Sequence, residues 1–265
     1  MNAENAGSLD SYLDILHLID KAQSSPIAIK LSVYDAFVNC FLKGTTYLEL
    51  RWNPYKRSQD FDLDFDRLII AARAGMEKAM VNFGIEGDML LCLGRDISEQ
   101  ANRAIFKKAL KYQGKGVRGI DIAGPESIEL PGYMEEFYVE ANRKGLITTI
   151  HCGEEFKDTT EQELETILTK YRPRRIGHGV QMARFPGLLR MAANQGVIFE
   201  LCLTSNLATK VVRDHVEFAN VVKALVNAGC QYEICTDGTF SLDTDITREH
   251  ERFQRALRHT TFSPR

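Results

Sequence analysis

Short apolar runs rich in β-branched and aromatic residues alternate along this chain with longer stretches of helical periodicity. The runs at 47–51, 89–93, 117–121, 147–151, 175–178, 197–201 and 232–236 predict strands. Apolar spacing between them predicts helices over 64–82, 97–111, 132–144, 160–170, 183–195 and 216–228. Strand followed by helix, repeated, is the pattern of βα units around a parallel sheet. The runs are nearly continuous in apolar character, as parallel strands buried on both faces must be. Ahead of position 47 there is only helix-like material: Leu13, Ile15, Leu16, Leu18 and Ile19 in one piece, then 27–42 in another. The pattern therefore predicts an α/β fold, a TIM-type (β/α)8 barrel of the metal-dependent hydrolase kind that is incomplete, because a closed barrel has eight strands and the first is missing. The tail 255–265 leaves little helix to cover the last strands. A barrel with a gap exposes strand edges on either side of it. The helical region 13–42, or a second copy in a homo-oligomer, is expected to cover that open edge.

Composition narrows the class. With 265 residues of which 44% are hydrophobic, the chain is long enough for one large core, and nothing resembling a linker, repeat or low-complexity tract divides it. A single domain over 1–265 is expected. The formal net charge of -3 gives no basic stripe for nucleic acid, so a small-molecule partner is expected and a nucleic-acid partner is not. No segment reaches the roughly 18 consecutive apolar residues of a membrane span, and Met1-Asn2-Ala3-Glu4-Asn5 lacks the basic start of a secretory signal. These features predict a cytoplasmic protein without a membrane partner. The six cysteines stand singly with no C-x-x-C pair, which predicts reduced core residues.

Reactive residues of a barrel gather where strands end, because the loops there share one mouth. Arg51, Asp121, His151, His178 and Asp237 each end or closely follow a predicted strand. The sequence His151-Cys152-Gly153-Glu154 is the most informative stretch. Neutral imidazole and carboxylate are both zinc ligands, and zinc with an open position lowers the pKa of bound water to about 7. Glu154 follows His151 in a turn opened by Gly153 and is the natural proton shuttle beside such a hydroxide. His178, between Gly177 and Gly179, is placed to orient the hydroxide or stabilise charge. Plainer readings stand beside these. Asp237-Gly238 and Ser205-Asn206 are turn signals, Asp121 closes a loop hydrogen bond, and Arg51 pairs with a buried carboxylate. Glu161, Glu163 and Glu165 form a solvated helix face, and Arg172, Arg174 and Arg175 a strand entrance.

Five segments in order resemble the motifs of the adenosine/AMP deaminase family. Gly119-Ile120-Asp121-Ile122-Ala123-Gly124-Pro125-Glu126 is similar to G-[IV]-D-L-A-G-x-E, and His151-Cys152-Gly153-Glu154 to H-A-G-E. Arg175-Ile176-Gly177-His178-Gly179 matches R-I-G-H-G, Cys202-Leu203-Thr204-Ser205-Asn206 resembles C-P-T-S-N, and Thr236-Asp237 begins T-D-D-P. The resemblance implies a zinc hydrolase that adds water to C6 of a purine nucleoside or nucleotide and releases ammonia. It implies His151 and Asp237 as ligands of Zn2+, Glu154 as acid/base at the ring nitrogen, and His178 as the group that orients water. It also implies substrate contacts from Gly124, through its backbone N–H, and from Asp121, Ser205 and Asn206.

Two departures qualify it. The family's first strand supplies an H-x-H pair of zinc ligands, and no H-x-H exists among His17, His151, His178, His215, His250 and His259. This agrees with the count of seven strands, so the chain is expected to begin after the first βα region. Gly238 stands where the family has a second Asp that hydrogen-bonds the purine's five-membered ring. Loss of such a partner costs about 1–3 kcal/mol. Two classes of function follow: a zinc-dependent aminohydrolase acting on adenosine or a related 6-aminopurine, or a catalytically impaired relative that binds a purine or a protein partner.

Overall fold

The computed structural model describes residues 3, 6–58 and 64–258 of the 265. Its helices begin and end where local chemistry dictates. Ser25 accepts from the amide of Ala28 at 3.2 Å, and Pro26 follows with no amide to satisfy, so α2 runs Pro26–Leu42 behind α1 at Leu9–Ala22. Ser98 caps α4 (Glu99–Tyr112) in the same way through the amide of Ala101. Helix α3, Asp66–Phe83, stops at Gly84 in the left-handed conformation. Each side-chain cap contributes about 1 kcal/mol.

The strands are β1 (Tyr47–Trp52), β2 (Glu86–Gly94), β3 (Val117–Ala123), β4 (Ile147–Cys152), β5 (Arg175–His178), β6 (Ile198–Leu201) and β7 (Gln231–Ile234). All are parallel and pair in chain order. With helices between successive strands, this is the architecture of an α/β barrel, seven strands of the usual eight lying among the described residues.

The chain divides into two compact units. One comprises residues 16–123 and 140–148. Here β1, β2, β3 and the first residues of β4 pair, and Met89, Leu90, Leu91 and Leu93 are fully buried with Phe37, Phe65, Ile69 and Ile105. Phe83 of α3 closes on Tyr34 and Phe41 of α2 with ring centroids 6.4 and 5.5 Å apart.

The other unit comprises residues 1–15, 124–139 and 149–265. The end of β4 pairs with β5, β5 with β6 and β6 with β7. Its core includes Ile150, Ile176, Phe199 and Phe218. Helix α5 is Met134–Lys144, and Tyr138 on it donates to the carbonyl of Thr149. Helix α6, Thr160–Thr166, continues as a π-helical turn over Ile167–Tyr171. The 3₁₀ turn Val180–Arg184 leads into α7, Pro186–Gln195, and α9 spans His215–Asn227 with Asp214 as its N-cap.

Two helices depart from expectation. Cys202 is followed by a short helix, α8 at Leu203–Ala208, rather than a turn. Helix α10, Ile246–Arg258, was not indicated by the apolar spacing, which placed no helix after 228. Its apolar stripe is thin, and a buried carboxylate supplements it: Glu249 accepts from the Thr204 amide at 3.2 Å and the Thr244 hydroxyl at 2.7 Å. Beyond it, 259–265 of the predicted tail lies outside the described residues. All six cysteines are free, with Cys92, Cys152, Cys202 and Cys230 buried, and no described helix is long and apolar enough to cross a membrane.

Candidate active site

Strand β4 ends at His151 and Cys152, and the chain turns through Gly153 to Glu154. That turn is held by its own hydrogen bonds. The buried Glu126 carboxylate accepts from the amides of Glu154 and Glu155, each at 3.1 Å, and Gln181 Nε2 donates to the Glu154 carbonyl at 3.1 Å. Lys157 Nζ in turn donates to the Glu126 carbonyl at 2.8 Å and to Glu163 at 2.6 Å. Glu163 is thereby a tether within the run expected to be solvent-facing.

With its backbone fixed, the Glu154 side chain lies in the interior, the residue 4% exposed. Burial first, and the negative charge of Asp237 next, push its carboxyl up to about 8, against an opposing pull from His151. Near neutrality this group holds a proton that an ordinary carboxylic acid would have lost.

His178 ends β5 and is equally buried. Its Nδ1 lies 3.0 Å from Asn206 Nδ2, and its Nε2 lies 3.6 Å from Glu154 Oε2. The amide nitrogen only donates, so Nδ1 accepts and the ring proton of neutral His178 is assigned to Nε2, facing Glu154. The same Asn206 nitrogen donates to Glu154 Oε1 at 3.4 Å. One amide thus fixes the orientation of both an imidazole and a carboxyl. The Asn206 Oδ1 atom is buried and has no hydrogen-bond partner among the described residues.

The ring of His151 lies 5.2 Å from that of His178, centroid to centroid. A Cβ at Gly177 would come within 3.2–3.3 Å of the His151 ring atoms, so glycine between Ile176 and His178 leaves room for the imidazole to lie across β5. Beyond β7, exposed Asp237 accepts from Ser205 Oγ at 2.7 Å. His178 and Asp237 both adopt left-handed backbone, with φ of 59° and 54°. Such a conformation costs a non-glycine residue roughly 1–2 kcal/mol.

His151, Glu154, His178, Ser205, Asn206 and Asp237 belong to one unit, in which contacts join Glu154, His178 and Asn206, set the His151 ring beside His178, and join Ser205 to Asp237. Asp121 belongs to the other unit, where it is fully buried and pairs with Arg51 at 3.4 Å, with the thiol of Cys92 at 3.9 Å. Arg51 thus has the buried carboxylate expected of it. Gly124, just after β3, has φ of 117°. Arg175 pairs with buried Glu200 at 3.4 Å, and Glu200 also accepts from Thr149 at 2.8 Å. Two residues unassigned in the sequence take part. Glu126 closes the first motif and was available there as a signal. Tyr12 gave none: it is a buried residue of α1 whose phenol is raised by burial and by the charges of Asp237 and Glu154.

The described residues hold no group of three or more His, Cys, Asp or Glu side chains that could bind a metal ion. Catalytic zinc takes three protein ligands. His151 and Asp237 do not by themselves constitute such a site.

Comparison with known proteins gives the family and the fold. The family model described as adenosine deaminase matches residues 1–263. An adenosine deaminase from Enterococcus faecalis is 27% identical over 247 residues, covering 93% of this chain and 71% of that protein. The Arabidopsis N6-mAMP deaminase superposes with a TM-score of 0.84 at 25% identity, over 97% of this chain and 76% of that one. Arabidopsis ADAL complexed with IMP superposes with a TM-score of 0.83, also at 25% identity, over 96% and 74%.

Proposed function

Because the chain belongs to the adenosine deaminase family, we propose that it hydrolyses the amino group of a 6-aminopurine nucleoside or nucleoside monophosphate, giving the 6-oxopurine and ammonia. The observation that carries this reading is the buried Glu154 carboxyl, raised to about 8 and held with His178 by a single asparagine amide. Addition of water to C6 places a negative charge on N1 unless that nitrogen gains a proton. A carboxyl still protonated at neutral pH supplies it. His178 orients the attacking water through its Nε2 side, next to Glu154. The Glu154 carboxylate left by that transfer takes a proton from the attacking water as its oxygen bonds C6 and passes it to the amino group; the C–N bond then breaks, ammonia leaves, and the C6 hydroxyl returns its proton to Glu154 as the 6-oxo group forms.

Asn206 and Ser205 act as positioning residues in this scheme, Asn206 for Glu154 and His178, Ser205 for Asp237. The unpartnered Asn206 Oδ1 is an acceptor for substrate, and the Gly124 N–H a donor to the purine. The family resemblance implies Zn2+ with His151 and Asp237 among its ligands. The described residues do not complete that set, and the chemistry assigned to this chain is that of its own side chains. Substrate class follows the neighbours named for N6-mAMP and IMP, and six free cysteines suit a reducing, cytoplasmic compartment.

The incomplete donor set favours one other reading, purine binding without turnover. Release of ammonia from adenosine and AMP, and of methylamine from N6-methyl-AMP, measured with and without added zinc, separates the two. Turnover that disappears in Glu154→Gln supports the enzyme. Saturable binding of these compounds with neither ammonia nor methylamine above the Glu154→Gln background supports the binding protein.

A further inference from the structure

Glu154 stands in a turn beyond the strand ladder, since β4 ends at Cys152 and Gly153 follows in left-handed backbone with φ of 62°. Its backbone is held instead by side chains from two other loops. On the amide side, the N–H groups of Glu154 and Glu155 converge on one carboxylate, each donating to a different oxygen of Glu126 at 3.1 Å. Successive amides turned the same way form an anion-binding nest, and here the anion belongs to the chain itself. On the carbonyl side, Gln181 Nε2 donates to Glu154 at 3.1 Å. Resting on the hydrolytic reading above, we propose that Glu126 is a positioning residue for the reaction: its carboxylate closes the nest under Glu154 and so fixes the Glu154 carboxyl relative to Gly124, two residues ahead of Glu126, whose N–H is assigned to the purine.

The surroundings of Glu126 fit that role. The residue is 3% exposed, so bulk water does not compete for the two amides. Its own backbone is tied to the same turn, because Lys157 Nζ donates to the Glu126 carbonyl at 2.8 Å and to Glu163 of α6 at 2.6 Å. The Lys157 amide in turn donates to Thr160 Oγ1 at 2.8 Å, at the start of that helix. The loop after β3 and the loop after β4 are thereby strapped together through both backbone and side chain. Contacts at the Glu154 carboxyl are longer, 3.4 Å to Asn206 Nδ2 and 3.6 Å to His178 Nε2. They orient the group, whereas the shorter bonds on its backbone set where it stands. Proton transfer to a ring nitrogen needs heavy atoms within about 2.6–3.2 Å, and a displacement of about 1 Å costs up to about a hundredfold in rate. Glutamine at 126 would keep the size of the side chain but bring one oxygen for two amides, with its NH2 group opposing the second.

Two measurements on the full chain test this. Amide hydrogen exchange, followed by NMR on the metal-free protein, should be at least about tenfold faster at one or both of Glu154 and Glu155 in Glu126→Gln, with Ile150 of β4 unchanged. Turnover of AMP by the zinc-supplemented chain should fall about tenfold or more in kcat with KM within about threefold, because the exact place of the carboxyl matters most in the transition state. Lys157→Met, at a partly exposed position, loosens the strap without emptying the nest and should move both readouts the same way by about two- to fivefold. Unchanged exchange at both amides in the two variants, faster exchange with wild-type kcat, or equally faster exchange at Ile150 would overturn the proposal while leaving the hydrolytic reading intact. A wild-type chain that turns over none of AMP, adenosine and N6-methyl-AMP would remove that reading, and this role for Glu126 with it.

Discussion

Replacing Glu154 by Gln should make the metal-free protein more stable, and increasingly so as pH rises from 5 to 8. The folded carboxyl is held at about 8 against an ordinary value of 4.5. Below 4.5 the group is protonated in both folded and unfolded chains and its contribution is fully present. Between 4.5 and 8 the unfolded chain releases the proton while the folded chain keeps it, so stability falls with each pH step. Above about 8 both states are ionised and the loss levels off. At roughly 1.4 kcal/mol per pH unit, the cumulative penalty is on the order of 3–5 kcal/mol. Glutamine keeps the acceptor for Asn206 and has nothing to ionise. For a chain of this size 1 kcal/mol corresponds to about 2 °C in melting temperature, so the advantage of Glu154→Gln should grow by about 6–10 °C between pH 5 and pH 8. Chelator-treated samples followed by far-ultraviolet circular dichroism provide the assay. Any constant offset from the altered contact with His178 cancels in the slope. Parallel melting curves for the two proteins across this range would refute the claim that Glu154 is buried protonated.

Other perturbations have equally defined outcomes. Asn206→Ala releases Glu154 and His178 together and should lower kcat about tenfold to a hundredfold with a smaller change in KM, measured by steady-state ammonia release. Glu249→Ala strips the acceptor from the Thr204 amide of α8 and from the Thr244 hydroxyl just ahead of α10 and should cost about 2–4 kcal/mol in urea unfolding, with Glu249→Gln recovering part of it. Glu200→Ala leaves Arg175 buried without its carboxylate and should cost about 3–5 kcal/mol, whereas Arg175→Met combined with Glu200→Leu should be much closer to the wild type, again by urea unfolding.

The strands were legible because their physics is local. Arg175–His178 emerged with the predicted bounds, and β1, β3 and β4 differ by one or two residues at their ends. A continuous apolar run between helical stretches is what a strand buried on both faces requires. The two missed helices have the opposite character. Leu203–Ala208 is six residues long, too short for a period to show, and sits where a strand-end turn was expected. Ile246–Arg258 presents few apolar positions and relies on Glu249, whose acceptor role depends on Thr204, 45 residues away.

The candidate site divides along the same line. His151, Glu154, His178 and Asp237 were identifiable at strand ends, where type and position coincide. The double role of the Asn206 amide was not, because the pattern around 205–206 reads equally as a turn. Tyr12 was invisible because it lies in α1, far in sequence from the strand ends that carry the other groups.

The central claim is that this chain adds water to C6 of a 6-aminopurine at the Glu154–His178 site. The most direct test incubates the full chain, supplemented with zinc, with AMP in H₂¹⁸O and analyses the nucleotide by mass spectrometry. The account predicts IMP carrying one ¹⁸O atom from the wild-type protein and unchanged AMP from Glu154→Gln. No labelled IMP from the wild type, or the same yield from both proteins, would contradict it.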